Sequence, residues 1–246
     1  MMIKDGVLDK PKIDAAFAIH SWAPLPIGQI GMVEGPAMAA VDIFELTVEG
    51  KGGHAAMPHL SVDPILVGSH VVTALHSIVS RNINPYHNAV MSICSVHGGT
   101  TFNIIPNDVK YQGTVRTFLE EDRKIIPKAM KNIAEGTARG MGGKVRLNYT
   151  RMIPATVNDP KMVAFASDVA AGIVGKRNVI TMEPSLGGED FAYFLMKAPG
   201  AFIFLGAGNK EKGAIWPHHH PKFRIDEDAF VAGVELLVRI VEKYLA

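Results

Sequence analysis

Cysteine is almost absent from this chain of 246 residues, where Cys94 stands alone. One thiol excludes an internal disulfide framework, and its place in an apolar, strand-like run reads as a small buried hydrophobe rather than a nucleophile. A basic excess is also missing. With 25 Lys+Arg against 24 Asp+Glu, and no Lys/Arg cluster interleaved with aromatics, nothing is built to collect phosphates, and no nucleic acid is expected as a partner. No apolar run approaches the roughly 20 residues of a membrane-spanning helix. The opening Met1-Met2-Ile3-Lys4-Asp5-Gly6 lacks a signal-peptide apolar core. The expectation is therefore a cytoplasmic chain without a membrane partner. Internal repeats, linker runs and low-complexity segments are absent too. What remains is 48% hydrophobic and 20% charged, enough to bury a sizeable core in one large domain or two small ones.

The periodicities divide the chain in three. Phe44, Leu46 and Val48 alternate with Glu45, Thr47 and Glu49, the period of a half-buried strand. From Val62 to Arg81 apolar residues recur at helical spacing, with Asp63-Pro64 suited to a first turn. Strand patterns follow at Ala89 to Val96 and Val109 to Phe118, then a helix over about 120–139 and a strand through Val145, Leu147 and Tyr149. Residues 42–153 thus read strand-helix-strand-strand-helix-strand, the ferredoxin-like α+β pattern (βαββαβ), as an inserted domain. The flanks, 1–41 and 154–246, read as α/β. Residues 13–19 form an apolar strand ending in His20, with buried strands at Val179 to Met182 and Ala201 to Leu205. A last helix, Asp228 to Leu245, carries Val231, Val234, Val238 and Val241 on the face expected to cover the sheet.

Candidate chemistry lies in loops, where function concentrates. Lys51-Gly52-Gly53-His54-Ala55-Ala56-Met57-Pro58-His59 follows the first strand directly, its glycines expected at backbone angles closed to other residues, and reads as a loop presenting imidazole. His20, at a strand end before Ser21-Trp22-Ala23-Pro24, is either a metal ligand or a histidine bonded to backbone. In Trp216-Pro217-His218-His219-His220-Pro221, three imidazoles stand between prolines, as ligands for zinc, manganese, cobalt or nickel or as a solvated polar loop. Glu189 and Asp190, after Gly187-Gly188, either cap a helix or orient groups around a metal or substrate. Asn103 and Arg116 offer an amide and a guanidinium that suit a carbonyl or carboxylate, or serve as a turn residue and a surface strand residue.

Taken together, six segments resemble the M20 metallopeptidase family, in the amidohydrolase branch of hippurate hydrolases, N-acyl-amino-acid amidohydrolases and plant auxin-conjugate hydrolases. They are His20 to Pro24, Gly50 to His59, Gly98 to Pro106, Gly113 to Phe118, Gly187 to Phe191 and His219 to Phe223, in the family's order. The resemblance implies a zinc-peptidase-like α/β catalytic domain with a two-metal site, and a smaller inserted domain that serves as lid and homodimer surface. It implies metal-ligand roles for His20 and His219, a carbonyl-polarising catalytic role for His54, and substrate-side roles for Asn103, Arg116 and Glu189. The reaction implied is metal-assisted hydrolysis of N-acyl amino acids or peptide-like amides.

The family's Cys-Gly-His-Asp and Glu-Glu motifs, which supply further ligands and the general base, have no counterpart here. The expectation is an N-terminally truncated member with an incomplete metal site. Its activity alone is expected to be impaired, and the alternative is a non-catalytic remnant that still folds and dimerises. Arg224, where relatives carry Asp, is expected to weaken metal binding further.

Overall fold

The computed structural model describes residues 2–246, and in chain order it opens with β1 (Ala16–Pro26), β2 (Ile30–Met32), β3 (Gly35–Met38), β4 (Ala40–Glu49) and β5 (Gly53–His54). Next come α1 (Pro64–Leu75), α2 (Ser77–Asn82), β6 (Ala89–Gly98), β7 (Ile104–Ile105), β8 (Asp108–Thr117), α3 (Glu120–Gly140) and β9 (Lys144–Ile153). The chain ends with β10 (Thr156–Asn158), α4 (Pro160–Val174), β11 (Val179–Thr181), α5 (Ala192–Leu195), β12 (Gly200–Gly208) and α6 (Ala229–Leu245). Two compact units result. One comprises residues 1–38, 156–185 and 189–246, the other 39–155 with 186–188. Among the described residues no helix is long and apolar enough to cross a membrane.

The 39–155 unit is a four-stranded antiparallel sheet ordered β6-β8-β4-β9. Phe44, Leu46 and Val48 are buried, as their alternation requires, and join one core with Val67, Val71 and Leu75 of α1 and with Ile126, Met130, Ala134 and Ala138 of α3. Asp63 starts α1 by accepting from the Ile65 and Leu66 N–H groups. The single helix expected over 62–81 is two: at His76 the first ends and α2 begins, and Ser77 Oγ donates to the Ala74 carbonyl at 2.6 Å. Gly68 lets α1 approach the sheet, since a Cβ there would run into the Tyr111 ring.

Helix α3 tolerates Pro127 because the carbonyl it leaves without a helical donor, that of Arg123, accepts from the Arg151 guanidinium at 3.2 Å. Arg123 also grips buried Asp42 through Nε and Nη2, and the Tyr149 hydroxyl donates to the same carboxylate at 2.9 Å. Burial, and then the Asp42 charge, pushes the Tyr149 phenol well above its usual range.

In the other unit the sheet order is β1-β12-β2-β11, with β12 parallel to β1 and antiparallel to β2. Successive residues of β12 enter different cores, as the two-residue period dictates. Ala201, Ile203, Leu205 and Ala207 meet Val163, Ala166 and Ala170 of α4 and Leu236 and Ile240 of α6, while Phe202 and Phe204 meet Val33, Ala37 and Met38. Buried Asn158 ties this together, donating to the Val33 and Phe202 carbonyls and accepting from the Phe202 N–H at 2.7 Å.

Three expectations change here. The strand expected over 13–19 instead runs on through His20 to Pro26. The valines expected to cover the sheet from α6 face outward, with Val231 73% and Val234 62% exposed, because the smaller Ala229 and Gly233 together with Leu236 and Ile240 make the buried face. Cys94 is exposed rather than buried, lying on an edge strand.

Candidate functional site

His54 closes the two-residue strand β5, paired with Ile104 of β7, and its side chain is exposed. Its Nδ1 accepts the Ala56 backbone N–H at 3.1 Å. A nitrogen that accepts carries no proton, so the neutral ring holds its hydrogen on Nε2 as an outward donor. The loop is clamped on both sides. The Met57 N–H donates to the His54 carbonyl at 2.8 Å, and the Ala55 N–H to the Asn103 carbonyl at 3.1 Å. Asn107 holds the loop's base, its side chain accepting from the Gly52 N–H and its carbonyl from the Gly50 N–H.

Gly52 and Gly53 are not at positive φ, contrary to the expectation from sequence. They are needed for close approach, since a Cβ on Gly52 would stand 2.8 Å from the Ile105 carbonyl oxygen. The structure thus brings Asn103 to His54 by its backbone, while its side-chain oxygen accepts from Thr101 Oγ1 at 3.3 Å. Arg116, half-buried on β8, lies beside Gly188, and its side chain has no hydrogen bond or ion pair among the described residues.

In the other unit the three consecutive histidines diverge. His218 packs against His20 at 5.1 Å between ring centroids and against Trp22 at 4.8 Å. His219, the position the family motif favours, is exposed at φ 66°, a left-handed conformation uncommon for a residue with a side chain. His220 stacks flat on Trp216 at 4.2 Å and accepts the Lys222 N–H through Nδ1.

His20 Nδ1 and His218 Nε2 both reach the Ser21 carbonyl, at 2.8 and 2.9 Å. As N–H donors to that oxygen they leave His20 Nε2 and His218 Nδ1 with free lone pairs. Burial lowers the His218 pKa, opposed by the Ser21 bond and aided by His20 and His219, which favours the neutral form of the ring.

Asp226, which no sequence motif singles out, lies after these histidines and anchors the segment before them. It accepts from Lys212 Nζ at 2.7 Å and Asn209 Nδ2 at 2.6 Å, and these two bonds hold its carboxyl below the usual range. Asp226 and then Asp228 push Lys212 up to about 12. Glu189 bonds within its own turn, its Oε1 accepting the Phe191 N–H at 3.2 Å just ahead of α5.

Among the described residues the one grouping of three donors close enough to share an ion is His87, Glu121 and Asp122, which includes none of the expected ligands. His87 Nδ1 is bonded to Asp122 at 3.0 Å, and the first turn of α3 is a positive helix end that opposes a cation. Among the described residues no third donor lies with His20 and His218 within ligand-sharing distance.

The family described as Peptidase family M20/M25/M40 matches residues 1–243. N-acetylcysteine deacetylase of Bacillus subtilis is 40% identical over 98% of this chain and 62% of its own length. IAA-amino acid hydrolase ILR1-like 4 of Arabidopsis thaliana is 31% identical over 99% of the chain and 56% of its own. Of solved structures, a Staphylococcus aureus protein matches all of the chain and 62% of its own at TM-score 0.90 and 35% identity. A dinuclear metal binding peptidase of Bacillus subtilis from the M20 family matches 97% and 59% at TM-score 0.80 and 33% identity. The chain spans about three fifths of the length of these relatives. By sequence along nearly its whole length, and by fold, this chain belongs to peptidase family M20/M25/M40.

Proposed function

We propose that this chain carries part of an amidohydrolase that cleaves the amide bond of N-acyl amino acids, with His54 donating from Nε2–H to the amide oxygen. The observation that carries this reading is the Ala56 N–H on His54 Nδ1, which fixes the tautomer that can donate. As the carbonyl carbon becomes tetrahedral its oxygen gains charge and the bond to Nε2–H strengthens, so the gain falls on the transition state. The clamps from Asn103 and Asn107 hold the ring in place without an entropic cost at that moment. Arg116, half-buried and unpaired, suits the amino acid's carboxylate, and the Asn103 amide suits a neutral polar group of the substrate. Glu189 sits in a motif of the substrate side but accepts the Phe191 N–H in the turn before α5, which suits a role in positioning that segment.

Divalent cations, zinc, manganese, cobalt or nickel, would supply an activated water and a Lewis acid when bound. His20 Nε2 is free for such an ion. The motif assigns the second imidazole to His219, whereas the geometry favours His218 Nδ1, and metal affinities of His218→Ala and His219→Ala distinguish them. The 39–155 unit is read as an inserted ferredoxin-like lid and dimerisation domain. Its strand order supports this, and edge strand β6 carries no Asp, Glu, Lys or Arg to block pairing with a second copy.

The test is hydrolysis of N-acetyl- and N-benzoyl-amino acids with added Mn, Co or Zn. In a chain that turns over, His54→Ala lowers kcat by about 10²–10³, more than it raises KM, and an unchanged kcat removes His54 from the role. A second reading, a non-catalytic remnant, is favoured by the absence of a third donor near His20 among the described residues. Turnover abolished by His218→Ala or His219→Ala overturns it.

A further inference from the structure

We propose that Gly188 sets selectivity at Arg116: by carrying no side chain it leaves the guanidinium open and, given the reading of Arg116 as the carboxylate's partner, makes the site prefer a free acid to its primary amide. This glycine belongs to a short excursion of the chain. Residues 186–188 pack with the 39–155 unit, although the residues before and after them lie in the other unit. The excursion is pinned at both ends. The Ala39 N–H donates to the Gly187 carbonyl at 3.0 Å, and the Ser185 N–H to the Ala37 carbonyl at 2.9 Å. After the glycine, Thr156 Oγ1 donates to the Glu189 carbonyl at 3.3 Å. A backbone bonded on either side of Gly188 has little slack to retreat from β4.

Val41 of β4 and Arg116 of β8 are register partners and so share one face of the sheet. The core residues Phe44, Leu46 and Val48 occupy the other face, as the two-residue period requires. Gly188 crosses beside this pair. A Cβ on it would run into Val41 Cγ2 and stand 3.6 Å from Arg116 Nη1. Its φ is not in the left-handed region, so the backbone angle does not demand glycine. The space does. Any side chain at 188 displaces Val41 and brings an atom against the guanidinium.

That guanidinium is half-buried and its side chain has no partner among the described residues. Its fork of donors fits the two oxygens of a carboxylate, whereas a primary amide sets its own N–H groups against them. A hydroxyl at 188 would act as a built-in competitor. From a Cβ at 3.6 Å, a serine Oγ one bond further on reaches the roughly 2.7–3.2 Å of a hydrogen bond to Nη1 and takes the place of one carboxylate oxygen. Glycine keeps that place open.

The test separates crowding from competition. Val41→Ala removes the Cγ2 obstruction and leaves the residue-41 Cβ 3.5 Å from a Cβ at 188, an ordinary contact. The full chain, Val41→Ala, and Val41→Ala with Gly188→Ser are titrated calorimetrically with N-benzoylglycine and with its amide. The first two are expected to bind the acid more tightly than the amide. In the double variant the acid is expected to weaken about tenfold, the loss of one charge-assisted hydrogen bond, with the amide unchanged. Equal weakening of both ligands, or an unweakened acid, would overturn the role of Gly188. A second reading needs no ligand: phenylglyoxal modification of Arg116, followed by mass spectrometry, is expected to be slower in the double variant than in Val41→Ala, and an equal rate counts against the proposal. A full chain without preference for the acid, or one whose preference survives Arg116→Ala, overturns the carboxylate reading and the role of Gly188 with it. A preference lost with Arg116→Ala but kept with Gly188→Ser overturns the role of Gly188 alone.

Discussion

The two units bury their apolar residues differently. In the 39–155 unit a four-stranded sheet and its helices share one core, closed around the Asp42–Arg123–Tyr149 knot. In the other unit a sheet of four strands serves two cores, its long edge strand carries no charge, and its last helix turns an apolar stripe outward. The contrast teaches that periodicity reports how many faces of an element are apolar, while the neighbours present decide which of them is covered.

The strongest way to break the comparison is Arg123→Ala. It leaves the Asp42 carboxylate buried without its cation and costs about 3–5 kcal/mol, read by urea unfolding followed through a probe in the 39–155 unit. Asn158→Ala strands the Phe202 N–H and two carbonyls in the other unit and costs about 1–3 kcal/mol, so a larger loss there than for Arg123→Ala would reverse the ranking of the two cores.

A smaller effect is expected at Asp226. Its carboxyl is held below the usual range, so its contribution is present above that range and disappears as pH falls through it. The Tm difference between the parent chain and Asp226→Asn is therefore expected to be positive near neutrality and to collapse in acid, and a constant difference contradicts the pairing with Lys212. At the alkaline end, Lys212, pushed up to about 12, keeps its charge until pH approaches that value. The smallest change is Cys94→Ser, expected within about 0.5 kcal/mol, with the parent thiol labelled by an alkylating reagent without unfolding.

Much of the 39–155 unit was legible because its strands have one wet face. Glu45 and Glu49 against Phe44, Leu46 and Val48 leave a single register, and Asp63-Pro64 announces a helix start. The break at His76 was not legible, since apolar spacing continues across it. The Gly52-Gly53 loop was recognisable as a holder of His54, but the reason for its glycines was not: Gly52 makes room for the Ile105 carbonyl and the Asn107 side chain and Gly53 for Ser61, and neither adopts positive φ. Exposed Asn107 and buried Asp226 were not legible because a polar anchor has no local pattern, its partners being distant in sequence or across a turn.

Family motifs gave the loops and the order in which they occur, and the M20 relatives match along the chain. They favoured His219 among the three consecutive histidines, but could not foresee how the three diverge by stacking: Trp216 takes His220, Trp22 and His20 take His218, and His219 is left exposed.

By itself the sequence determined most of the elements and the family, because these follow from local periodicity and from ordered motifs. Only the tertiary structure decided the His54 tautomer, the divergence of the three histidines and the outward face of α6. Each of these depends on which atoms meet across the fold: a backbone N–H two residues on, an indole from β1, a flank of helix with no neighbour among the described residues.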